Sequence, residues 1–117
     1  MVHTRFFCAL SSPQFEVWFL WHLTDYQTTG CLGQDVDRAI AKWCPEYAKG
    51  ARIPTKPLEG RYGDAARHAG DARAAHLRAQ RTFPEDRPMS DIDRLMASIL
   101  AAWLEFRGYP SDSPVPL

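Results

Sequence analysis

The chain has 117 residues, enough for one ordinary domain and too few for a cofactor-binding fold joined to a second substrate domain. Its 45% hydrophobic and 24% charged residues are typical of globular proteins and exclude a disordered polypeptide. Fourteen basic and fourteen acidic residues cancel, so only a local patch could attract nucleic acid or an anionic membrane. Because the sequence lacks both an apolar run of about 20 residues and a leader pattern, we expect a cytoplasmic protein with no membrane segment.

Residues 2–24 have two interpretations. Ser12, Pro13 and Glu16 form a favourable helix start, and Gly30 would end that helix. The helix would be apolar on nearly all sides, so it would lie at the centre of the fold. Alternatively, residues 2–10 and 15–24, both rich in aromatic and branched side chains, pair as a hairpin. We favour the helix and keep a short N-terminal strand or hairpin as the alternative.

The middle of the chain alternates helical patterns with irregular segments. Residues 34–43 carry apolar side chains at helical spacing, and Pro45 ends that pattern. Residues 53–63 contain two prolines and two glycines and predict a loop. Residues 64–81 are rich in alanine, which favours a thin helix that a neighbouring helix can approach closely.

The last helix is predicted between Ser90 and Gly108, with Ser90 and Asp93 as the signature of its start. Its apolar side chains recur every three or four residues: Ile92, Leu95, Met96, Ile99, Trp103 and Phe106. A stripe of that width needs more than one neighbour, and we expect the alanine-rich helix to pack antiparallel against it. The fold class is therefore mainly α, a bundle of three to four helices in one domain over residues 1–108, with a proline-rich tail over 109–117.

No pattern for catalysis, metal or cofactor binding stands out. Three cysteines are an odd number and indicate reduced thiols, with Cys8 and Cys44 in the core and Cys31 in a loop. Cys31, His22 and Asp25 are the one trio that the sequence places near a single point, and solvated or structural roles explain it more simply. Zinc-type close pairs of cysteine and histidine are absent. We expect no metal, no cofactor and no enzymatic activity.

A local charge excess marks the alanine-rich helix. Residues 61–81 carry five arginines and two aspartates, whereas residues 82–117 carry three basic and six acidic side chains. On a continuous helix Arg67, Arg78 and Arg81 fall within about 60° of one another, where they would meet carboxylates or phosphates. Asp71 lies on the same sector and would pair with Arg67.

Aromatic side chains are concentrated in the first third of the chain, and we expect some of them on the surface as interface anchors. The candidate partner-binding residues are Arg67, Arg78, Arg81, Trp18, Trp21 and Phe7. We expect a small protein-binding module that occupies a larger partner through an acidic or apolar surface, in the manner of phage or mobile-element inhibitors. The wide stripe of the last helix is a further candidate surface for a partner or for a homodimer. The alternative function is nucleic-acid regulation through the arginine-rich helix 61–81.

Overall fold

A computed structural model describes residues 8–45, 47 and 56–108. These residues form four α-helices, a short 3-10 helix and a two-stranded antiparallel sheet. In chain order the elements are β1 Ser11–Ser12, α1 Glu16–Trp21, α2 Gly33–Trp43, the 3-10 helix Lys56–Leu58, α3 Tyr62–Arg78, β2 Met89–Ser90 and α4 Ile92–Phe106. The mainly helical prediction is confirmed. Helices that could span a lipid bilayer are absent from these ranges.

Helix α1 lies at the centre of the core, as its all-round apolar sequence predicts. Its residues from Val17 to Trp21 are all buried, and it contacts α2, α3 and both strands. The helix is shorter than expected and turns at His22, well before Gly30. The chain beyond it stays against the core because the indole of Trp21 donates a 2.8 Å hydrogen bond to the Tyr26 carbonyl.

The hairpin alternative is wrong, because residues 16–21 are helical. The short strand β1 precedes α1 and pairs with β2, from a distant part of the chain. Ser11 lies opposite Ser90 and Ser12 opposite Met89, and the two hydroxyl oxygens of Ser11 and Ser90 are 2.8 Å apart. This ladder joins the start of α1 to the start of α4.

The alanine face of α3 packs on α1. Ala65, Ala69 and Ala72 are completely buried and belong to the same core cluster as the α1 side chains. Close approach by small side chains was predicted, but with α4 as the neighbour. Within the described residues α4 contributes Ile92 to the edge of that cluster, so α4 lies at the periphery of the fold.

Helix α2 follows the predicted range closely. It begins one residue earlier than expected, and the Asp35 carboxylate accepts a 2.8 Å hydrogen bond from the Leu32 amide at its start. Val36 and Ile40 are buried, whereas Trp43 is exposed. The predicted loop over 53–63 contains the 3-10 helix and the first two residues of α3, and its residues 53–55 lie outside the described ranges. The predicted tail over 109–117 also lies outside them.

Candidate partner-binding surfaces

The three predicted arginines do not form a line on one helix. Helix α3 ends at Arg78, and Gln80 adopts a left-handed conformation with φ of 55°. The Gln80 amide donates to the Leu77 carbonyl and the Arg81 amide to the His76 carbonyl, the pattern of a Schellman turn. The backbone therefore turns away from the helix axis before Arg81.

Arg67 and Arg78 remain on the surface of α3. Arg67 forms an exposed ion pair with Asp64 at 3.2 Å, one turn before it, so the expected pairing with Asp71 is wrong. Arg78 is exposed, and its guanidinium has no hydrogen-bond or ion-pair partner in the described part of the chain.

The predicted aromatic anchors are core residues. Trp21 is completely buried and Trp18 is 7% exposed, so neither can contact a partner, and their prediction as surface anchors is wrong. Trp18 instead packs edge-to-face on His22 and Tyr62. The physical reason is that α1 is enclosed on all sides, which leaves no outer face for its aromatics. Phe7 lies outside the described residues.

Exposed apolar surface is found on α4. Leu95, Ile99, Trp103 and Phe106 lie within an arc of about 80° around the helix, and we call them the α4 stripe. Ile99 is 53%, Trp103 46% and Phe106 87% exposed, whereas Leu104 on another sector is buried. The guanidinium of Arg107 lies 5.6 Å from the centre of the Trp103 ring and covers part of it. Large apolar side chains grouped in this way are typical of interaction surfaces.

A polar clamp attaches α4 to α3. Both terminal nitrogens of Arg73 donate to the Asp93 carboxylate, at 2.8 and 2.6 Å, and one also donates to the Ser90 carbonyl at 3.0 Å. Asp91 lies 3.8 Å from the same guanidinium. The hydrogen bonds to Asp93 raise the pKa of Arg73 above its ordinary value. Since the clamp fixes the start of α4 through charge and hydrogen bonding, the apolar stripe is not needed for this attachment.

An open groove of about 270 Å³ lies beside the clamp. It is lined by Arg73, His76 and Leu77 of α3, Arg81 and Asp86 of the following segment, Met89 of β2 and Arg94 of α4. His76 shares a hydrogen bond of 2.7 Å with the Pro88 carbonyl, and its other ring nitrogen accepts from Arg81 Nε at 2.8 Å. These two contacts fix His76 as the tautomer protonated at Nε2 and hold Arg81 at the groove.

Comparison with known proteins assigns the family. A family model described as RloB-like protein matches residues 2–99, which is most of the chain. The chain belongs to the RloB-like family. No curated protein and no solved structure matches this RloB-like chain. The family match includes all seven groove residues and ends at Ile99, so Trp103 and Phe106 of the α4 stripe lie beyond it.

The candidate thiol site of this RloB-like chain has no activated nucleophile. Cys31 is 2% exposed, and burial raises the pKa of its thiol, with the nearby Asp35 acting in the same direction. A raised thiol pKa opposes thiolate chemistry at neutral pH. His22 shares a 2.9 Å hydrogen bond with the Trp18 carbonyl, and Asp25 accepts from Gln27. Each side chain of the trio thus has a separate structural environment.

The other cysteines differ in part from prediction. Cys44 is buried as expected. Cys8, which was expected in the core, is exposed, whereas the loop cysteine Cys31 is buried. Among residues 8–45, 47 and 56–108, histidine, cysteine and acidic side chains form no cluster able to hold a metal ion.

Proposed function

We propose that this chain is a small protein-binding module that receives a helix of a partner protein on the α4 stripe. The exposure of Ile99, Trp103 and Phe106 is the observation that carries the proposal. Burial of a large apolar side chain is worth about 1.5–3 kcal/mol, so three such side chains supply a substantial driving force for association. Tryptophan is also among the residue types enriched at binding hot spots.

The spacing of the apolar residues supports a helix as the bound element. Ile92, Met96, Ile99, Trp103 and Phe106 are separated alternately by four and three residues, the repeat that allows two helices to pack side by side along a seam. Leu104 is buried, and the Arg73 clamp attaches α4 to α3, both on other sectors of the helix. The C-terminal part of the seam, formed by Ile99, Trp103 and Phe106, is exposed and open to a second helix.

In this proposal the protein acts by occupying its partner, as an inhibitor or regulator does, and carries out no reaction of its own. The buried thiol with a raised pKa supports a role without thiol catalysis. The alternative of nucleic-acid binding through residues 61–81 has less support, because Arg67 is paired with Asp64 and Arg81 leaves the helical face.

In-cell crosslinking tests the proposed function. A photoreactive amino acid is placed at Ile99 in the α4 stripe and, as a control, at Glu105, an exposed position about 120° from Ile99 around the same helix. We expect a discrete crosslinked product with another protein from position 99 and none from position 105. Equal labelling from both positions, or no product from position 99, contradicts the proposal. A crosslinked product that contains two copies of this chain would show that the α4 stripe forms a homodimer and does not bind another protein.

A further inference from the structure

The groove beside the Arg73 clamp contains charged groups whose hydrogen-bonding capacity the described residues leave unused. The guanidinium of Arg94 has no partner within these residues, and Arg81 uses Nε for His76 and keeps both terminal nitrogens open. Asp86 has one buried carboxylate oxygen, Oδ1, without a hydrogen-bond partner. Arg73 is different, because Asp91 and Asp93 already neutralise it.

These groups define the chemistry of a ligand. Two guanidinium groups favour a carboxylate or phosphate, since they donate hydrogen bonds in a planar fork. Asp86 Oδ1 has almost no solvent-accessible surface, so it does not contact a ligand in the groove. Leu77, which is 79% exposed, and Met89 offer apolar contact beside the charged groups.

We propose that this groove binds an acidic side chain of a partner protein together with the apolar residue next to it. A peptide segment supplies a carboxylate for Arg81 and Arg94 and an apolar side chain for Leu77 and Met89. A phosphate dianion supplies anionic oxygens but no apolar group, so it leaves Leu77 and Met89 without a contact. The observations therefore favour an acidic peptide over nucleic acid.

This inference rests on the proposed protein-binding function and assigns the groove as a second contact, separate from the α4 stripe. Arg94 and Ile99 lie on different sectors of α4, and only the first lines the groove. The two surfaces can therefore be altered independently.

A titration followed by NMR tests the groove directly. The full chain, labelled with ¹⁵N, is titrated with three probes: acetyl-Glu-Leu-amide, the uncharged acetyl-Gln-Leu-amide, and inorganic phosphate. We expect saturable shifts of the backbone amide signals of the groove residues with the glutamate probe, and affinity at least about tenfold weaker for the glutamine probe, as the loss of charge-assisted hydrogen bonds requires. Phosphate should also bind more weakly than the glutamate probe.

Substitutions locate the contact. Arg81→Gln and Arg94→Gln should each weaken binding of the glutamate probe about tenfold. Arg94→Gln is informative even where Arg81→Gln disturbs His76, because the Arg94 side chain has no hydrogen bond or ion pair to lose within the described residues. Arg78→Gln, also an exposed arginine, should leave affinity unchanged. Phosphate binding as tight as the glutamate probe, equal affinity for the two peptides, or no saturable shift overturns the inference. A crosslink from position 99 without a saturable shift by the glutamate probe contradicts the groove proposal alone. A saturable shift without a crosslink contradicts the proposal for the α4 stripe.

Discussion

Breaking the Arg73–Asp93 clamp should destabilise the protein far more than breaking a surface ion pair. The Arg73 and Asp93 side chains are 23% and 12% exposed and are joined by two short hydrogen bonds. Removal of one member of a fully buried pair costs about 3–5 kcal/mol. Partial exposure of Arg73 reduces this cost, so we expect Arg73→Met to lower the free energy of unfolding by about 2–3 kcal/mol.

A double-mutant cycle measures the interaction itself. Urea unfolding of Arg73→Met, Asp93→Asn and the double variant should give a coupling energy of about 1.5–2 kcal/mol. The Arg67–Asp64 pair is the matched control, because its side chains are 62% and 50% exposed, and its cycle should give less than about 0.5 kcal/mol. A clamp coupling no larger than that of the control pair would refute the argument that polar contacts hold α4 in place.

Three further predictions concern stability. Gln80→Gly should raise the free energy of unfolding, measured in urea, by about 0.5–1 kcal/mol, because Gln80 has a φ of 55° at the end of α3 and glycine adopts this conformation without strain. A variant less stable than wild type would contradict the left-handed turn at Gln80. Ala69→Leu should lower the free energy of unfolding by about 1–3 kcal/mol through overpacking against α1, while the exposed Ala74→Leu stays near wild type. Burial lowers the pKa of His22 below 6.5, so the unfolded chain binds more protons below that pH and stability falls as the solution is acidified. Urea unfolding at pH 7.5 and pH 5 should show a smaller loss of unfolding free energy for His22→Gln than for wild type, and equal losses would contradict this role of His22.

Local patterns in the sequence were sufficient to predict the helices. Pro45 ends α2, and the alanine run produces α3 with small residues on its buried face. Those signals act within a few residues, so no tertiary information is needed. The end of α3 was placed too late because Gln80, rather than the usual glycine, adopts the left-handed conformation.

Long-range packing decides the features that the sequence did not predict. Which helix covers the alanine face depends on the Ser11–Ser90 ladder and on the 2.8 Å hydrogen bond that His68 shares with the Trp21 carbonyl, and both join distant segments. The packing of α2, α3 and both strands around α1 also buries Trp18 and Trp21. The α4 stripe was visible as an unusually wide apolar pattern, but its exposure follows from the Arg73 clamp, which periodicity alone does not reveal.

The affinity of the purified pair decides whether the α4 stripe is the partner-binding surface. Once crosslinking has identified the partner, its dissociation constant is measured with wild type, Ile99→Asp and Ser98→Asp. The two variants introduce the same charge at adjacent exposed positions of α4, one inside the stripe and one outside it. We predict at least about tenfold weaker binding for Ile99→Asp and wild-type binding for Ser98→Asp. Equal effects of the two substitutions, or none, would contradict the claim.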